Sequence, residues 1–203
     1  MMRGFKRKSD SITVAEERIS FLVENDFYRD ANRLRLQLED SFSTQNQVGI
    51  TPLTYVFSEN RYQFLTASSE SVLTRVSLQE FLEHLGNWGE SKLGASHVST
   101  PQVRVYIGGC KRSVLQDAVM LGWHYMLSLT KDQRSRKNDR VRIMIPDRPG
   151  REDKLLSTCN LVDSDLKFNR LLIHDTQNAY GIEPATTLMN PLDGTIFLDG
   201  YFW

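Results

Sequence analysis

Apolar residues recur at helical spacing in the first half of the chain and at strand spacing in the second. Phe27, Ala31, Leu34, Leu38 and Phe42 are three or four residues apart, which places them on one face of a helix over 27–42. Arg29, Arg33, Arg35 and Glu39 fall largely away from that stripe. Residues 43–50 are polar and contain Gly49, and read as a loop. The β-prone runs 53–57 and 62–65 are separated by four polar residues and predict a hairpin. A second helix is expected from Ser77, where Ser77 and Glu80 match a capping box. Leu78, Phe81, Leu82, Leu85 and Trp88 form its apolar stripe, and Gly94 stops it. Residues 14–25 carry a mixed signal.

From Val103 the period becomes two. Val103, Val105 and Ile107 alternate with Arg104 and Tyr106, and Gly108 and Gly109 end that run. Trp123, Tyr125, Leu127 and Leu129 alternate with His124, Met126 and Ser128. Both faces of this second strand are largely apolar, as expected of a barrel strand covered on its outside. Further strands are expected at 141–145, closed by Pro146, at 171–174, and from 194 to the last residue. Residues 147–168 are polar and read as irregular, and Pro184 and Pro191 bracket a linker. Helices first and strands later point to an α+β protein or a helix-buttressed barrel.

At 203 residues the chain fits one domain, divided here into a tail at 1–13, a helical buttress with short strands at 14–100 and a barrel core at 101–203. Forty per cent of the residues are apolar, enough for a sizeable core, and 25% are charged. The formal net charge is zero, so nothing global draws the chain to nucleic acid or an anionic membrane. No apolar run approaches the roughly 20 residues that span a bilayer. The two cysteines, Cys110 and Cys159, lie far apart and form neither a disulfide framework nor a zinc-knuckle spacing. A cytoplasmic location is the expectation.

Several short segments resemble those of the iron- and 2-oxoglutarate-dependent oxygenases. Asp26-Phe27-Tyr28 is similar to the step that opens the family's first helix. Residues 105–109 resemble the tyrosine-bearing strand before the metal motif, and 169–176 resemble the strand before the second histidine. The resemblance implies a double-stranded β-helix, or jelly-roll, barrel buttressed by N-terminal helices. It also implies iron(II) held by two histidines and a carboxylate, with 2-oxoglutarate as co-substrate and a small-molecule or protein substrate. This chain departs from the pattern. The first metal motif falls on Leu115-Gln116-Asp117, with leucine where a histidine is usual. The second histidine position falls near Tyr180, and Asp193-Gly194-Thr195 carries no cation for 2-oxoglutarate. Leucine cannot coordinate, and 2-oxoglutarate without a facing cation loses a charge-assisted anchor.

A displaced site is the alternative. His124 and His174 sit on strands that could be neighbours, with Asp117 or Asp175 completing the set. On that reading Asp117, His124 and His174 lie at the metal and Tyr106 near the co-substrate. Arg104 or Arg142 is then the substitute anchor, and Tyr180 and Asp199 face the substrate. Against it, a histidine on an apolar strand is often a hydrogen-bonded core residue. The chain is then a catalytically inactive oxygenase-fold module that binds a small molecule or protein without cofactors. Asp199, in an apolar run, must find a partner or face a cavity. His84 and His97 read as surface residues. The basic stretch 131–140 has no aromatic residues for base stacking and reads as a solvated hairpin tip. Cys110, beside Lys111 and Arg112, could carry a lowered pKa.

Overall fold

The computed structural model describes residues 21–48, 52–58, 61–108, 110, 122–131, 140–146, 159–176, 178–183 and 189–203. The expected tail, Leu115, Asp117 and most of the basic stretch lie outside these residues, as do Lys111 and Arg112. For Arg142 and Tyr180 only the backbone is described.

The elements in order are β1 (Phe21–Glu24), α1 (Ala31–Val48), β2 (Thr54–Ser58), β3 (Arg61–Ser68), α2 (Ser69–Val72), α3 (Arg75–Leu93), β4 (Gln102–Tyr106), β5 (Trp123–Ser128), β6 (Arg140–Pro146), β7 (Cys159–Asp165), β8 (Arg170–Asp175), β9 (Ala179–Glu183), a 3-10 turn at Pro191–Asp193, and β10 (Thr195–Phe202). Seven strands form one antiparallel sheet in the order β1-β8-β5-β10-β4-β3-β2, and three form a second in the order β7-β6-β9. The α+β, jelly-roll expectation holds.

Helix α1 begins at Ala31, four residues later than expected, and four further details differ from the sequence reading. Helix α1 runs on through Val48, across residues expected to be a loop, because no glycine or proline interrupts 43–48. Helix α3 begins two residues early. Its N-cap is Thr74, whose hydroxyl accepts from the Ser77 amide, and Gln37 of α1 bonds both Thr74 and Ser77. Strand β7 forms within a segment expected to be irregular, in an unbroken register from Arg140↔Asp165 to Pro146↔Cys159. Strand β9 likewise forms by pairing with β6.

The large sheet has two faces. Val103, Val105, Leu198, Phe202, Tyr125, Leu127, Leu171 and Ile173 lie on one, fully buried. Helix α3 packs there, with Trp88 against Phe202 at 6.2 Å between rings. A Cβ on Gly89 would lie 2.5 Å from the Phe202 ring, so glycine permits this close approach. Arg104, Tyr106, His124, Met126, Leu172, His174, Phe197, Asp199 and Tyr201 alternate onto the other face, turned away from the helices.

Arg35 is an exception to the outward placing of charge. Although it sits off the apolar stripe of α1, it is 2% exposed. Its guanidinium donates to the carbonyls of Leu129 and Leu192 and bonds Glu39 at 2.8 Å, tying the helix to the ends of the sheet strands.

Candidate functional site

Strands β8, β5 and β10 are neighbours, and their register puts His174 opposite His124 and His124 opposite Tyr201. His124 and His174 are 0% and 1% exposed. His124 Nδ1 and His174 Nε2 lie 2.9 Å apart, with ring centroids 4.9 Å apart and ring planes at 77°. Tyr201 lies along the His124 ring at 5.0 Å.

The outer nitrogen of each ring has a defined partner. His174 Nδ1 is 3.0 Å from the Asp175 carbonyl. A carbonyl only accepts, so Nδ1 carries the proton. His124 Nε2 is 3.1 Å from Asp199 Oδ2, and the same oxygen takes Arg104 at 2.9 Å. Paired with a guanidinium, the carboxylate accepts from His124, so Nε2 carries that ring's proton. The two inward nitrogens then present their lone pairs to each other. Such an arrangement needs a positive centre between them, either a proton or a metal ion.

The 2.9 Å spacing matches a shared proton and also the separation of two adjacent ligands of a divalent metal. Metal-nitrogen bonds of about 2.0–2.1 Å put two adjacent ligands of an octahedral ion about 3 Å apart. Ligating histidines also characteristically donate their other N–H to a carboxylate or backbone carbonyl, as both rings do here. Among the described residues no carboxylate joins the two inward nitrogens. Asp199 binds the far nitrogen of His124, and Asp175 alternates to the opposite face of β8. Among the described residues no group of three or more histidine, cysteine, aspartate or glutamate side chains is arranged to hold a metal.

The other residues singled out from the sequence fall in different places. Arg104 reaches Asp199 and lies over the Phe64 ring at 5.0 Å. Tyr106, fully buried, stands on the same face, 6.1 Å from the Phe197 ring. Arg142 and Tyr180 occupy neighbouring strands β6 and β9, where Ile143 is the partner of Tyr180 and Gly181 the partner of Arg142. Asp199 is 2% exposed, and its Oδ1 has no hydrogen-bond partner among the described residues. His84 and His97 are exposed, His84 bonding the Phe27 carbonyl at 3.0 Å. Cys110 is buried, and burial pushes its thiol up, outweighing a hydrogen bond from Ile107, opposite to the expected direction. What the sequence did not reveal is the role of Asp199 Oδ2 as the meeting point of Arg104 and His124. Its one signal is a carboxylate within an apolar strand.

No family model and no curated protein matches the sequence. Solved structures do match the fold. A prolyl-4-hydroxylase from Pseudomonas putida aligns over 90% of this chain and 91% of its own, with a TM-score of 0.59 and 12% identity. A prolyl hydroxylase from Trichoplax adhaerens, solved with a hypoxia inducible factor peptide fragment, aligns over 90% and 83% with a TM-score of 0.59 and 16% identity. The non-heme alpha ketoglutarate dependent epimerase SnoN of nogalamycin biosynthesis aligns over 90% and 76% with a TM-score of 0.66 and 8% identity. At these identities the likeness is one of fold. The chain is a divergent protein with the double-stranded β-helix fold of the iron- and 2-oxoglutarate-dependent oxygenases.

Proposed function

We propose that the chain is a divergent oxygenase-type protein that holds a divalent metal, iron(II), between His124 Nδ1 and His174 Nε2, with Asp117 as the carboxylate ligand. The observation that carries this reading is the tethering of both outer nitrogens, to Asp199 and to the Asp175 carbonyl. It leaves the two inward nitrogens 2.9 Å apart. Bound iron would supply the activation of dioxygen coupled to oxidative decarboxylation of 2-oxoglutarate, leading to hydroxylation of a substrate C–H bond.

The chain's own residues take the remaining roles. Arg104 is engaged by Asp199, so Arg142 is the cation for the distal carboxylate of 2-oxoglutarate, with Tyr106 nearby on the inner face. Asp199 and Tyr180 are assigned to the substrate side of the site in this reading. The substrate is a small molecule or a protein segment, and the site of action is the cytoplasm. No described helix is long and apolar enough to cross a membrane.

A second reading has its own support. By the sequence resemblance Leu115 and Tyr180 fall at the family's usual ligand positions, and the Arg104–Asp199 ion pair occupies the face of the sheet turned away from the helices. Both favour a catalytically inactive binding module. An anaerobic iron(II) titration in the presence of 2-oxoglutarate separates the two. Stoichiometric uptake with a visible charge-transfer band, lost in His174→Ala and kept in His84→Ala, supports the oxygenase. No band at millimolar iron supports the module.

A further inference from the structure

We infer that Asp199, held in place by Arg104, is the positioning residue that fixes the tautomer of His124 and thereby turns its Nδ1 toward His174. The inference rests on the proposed metal site for its purpose, but the tautomer it assigns is a property of the metal-free chain.

Three observations carry it. First, both donors converge on one oxygen. Arg104 and His124 reach Asp199 Oδ2 at 2.9 and 3.1 Å, while Oδ1 has no partner among the described residues. An arginine–carboxylate pair that serves cohesion alone commonly closes as a two-pronged bond using both oxygens. Here that second bond is forgone and the carboxylate faces the imidazole. Second, the carboxylate is clamped. Arg104 belongs to β4 and His124 to β5, the strands on either side of β10, and the guanidinium is supported from elsewhere by the Phe64 ring. Third, the site is dry. Asp199 and His124 are 2% and 0% exposed, so no water competes for Nε2. On His174 the same task falls to a backbone carbonyl, which no substitution removes. Asp199 is therefore the side chain among the described residues that decides which nitrogens face inward.

Carboxylate and carbonyl partners of this kind commonly change metal affinity about 10- to 100-fold when removed. Asp199→Ala alone would remove the carboxylate facing the part-buried Arg104 guanidinium, so the informative variant is the double substitution Arg104→Leu with Asp199→Leu, which removes both charges together. Asp199→Asn keeps an acceptor and serves as the conservative control.

The test is ring-nitrogen NMR on the metal-free full chain, together with a cobalt(II) titration followed by its visible bands. The native chain should show a His124 Nε2–H protected from exchange. The folded double variant should lose that protection and bind cobalt(II) at least tenfold more weakly, with Asp199→Asn recovering most of the difference. A protected Nε2–H that persists in the folded double variant would overturn the assignment. If the native chain takes up no cobalt(II), the metal proposal fails, while the NMR comparison still decides the role of Asp199.

Discussion

His124 and His174 face each other directly across β5 and β8, with Nδ1 and Nε2 2.9 Å apart and all four ring nitrogens engaged. Two adjacent strands supply the rings, a third supplies Asp199, and a fourth supplies Arg104. The two of these residues nearest in sequence, Arg104 and His124, are 20 positions apart. The cluster is therefore a product of the strand order, and its stability depends on the elements that hold the sheet against its helices.

Asn169 is one of those elements. It adopts a left-handed backbone with φ of 57°. Its side chain accepts from the Tyr28 amide at 2.9 Å and donates to the Tyr28 carbonyl at 3.0 Å. Its own carbonyl accepts from the Phe27 amide, so one residue continues a strand-like ladder into the entry of α1. Asn169→Ala strips both side-chain bonds and leaves the buried Tyr28 amide without its acceptor, while the Tyr28 carbonyl still accepts from Ala31. The expected loss is about 1–3 kcal/mol in urea unfolding. A change below about 0.5 kcal/mol would show that the staple contributes nothing.

Gly89 sets the distance between α3 and β10. An added methyl would meet the Phe202 ring 2.5 Å away. Gly89→Ala should cost about 1–3 kcal/mol through overpacking. Combining it with Phe202→Leu should recover part of the loss, because the two changes share one space. Strict additivity of the two in thermal melts would argue against this contact.

Glu39 carries the pH dependence of the α1 anchor. Burial pushes its carboxyl up, but hydrogen bonds from Lys131 and Arg35 outweigh burial and leave it below the ordinary range. A carboxyl depressed in the folded state stabilises above its unfolded pKa, and that stability is lost as pH falls through the folded value. The native chain should exceed Glu39→Gln in urea midpoint at pH 7, and the gap should close toward pH 3. An unchanged gap would rule out the linkage. Arg35→Ala removes the buried cation and three bonds, with an expected loss of about 3–5 kcal/mol at pH 7.

Much of this architecture was legible in the sequence, and the illegible parts have physical causes. The period-two run at 123–129, apolar on both faces, identified a covered barrel strand, and the spacing of Leu34, Leu38 and Phe42 identified a helix face. Strand β7 was not legible because Asn160, Asp163 and Asp165 break its alternation, and pairing with β6 supplies what local preference lacks. The start of α3 was misplaced because Thr74 and Ser77 both offer hydroxyls, and the choice falls to Gln37 on another helix. Arg35 read as a surface cation because spacing records a face, not the distant carbonyls of Leu129 and Leu192. His124, His174 and Asp199 each stood out as polar residues in apolar strands, yet no pattern along the chain announces that β8, β5 and β10 lie side by side.

Cys110 offers a chemical test of burial. Its thiol is enclosed and pushed up by desolvation. In a Cys159→Ser background, native Cys110 should react with a disulfide reagent at pH 7.5 at least tenfold more slowly than in urea. Equal rates would place the thiol at the surface.

The central claim is that His124 and His174 share a divalent metal. Equilibrium dialysis of the native chain, His124→Ala and His174→Ala against iron(II) under anaerobic conditions, with metal counted per chain, tests it most directly. One iron per native chain, with neither variant retaining it at the same free concentration, is the expected result. Native protein that leaves dialysis without iron, or variants that keep a full equivalent, would contradict it.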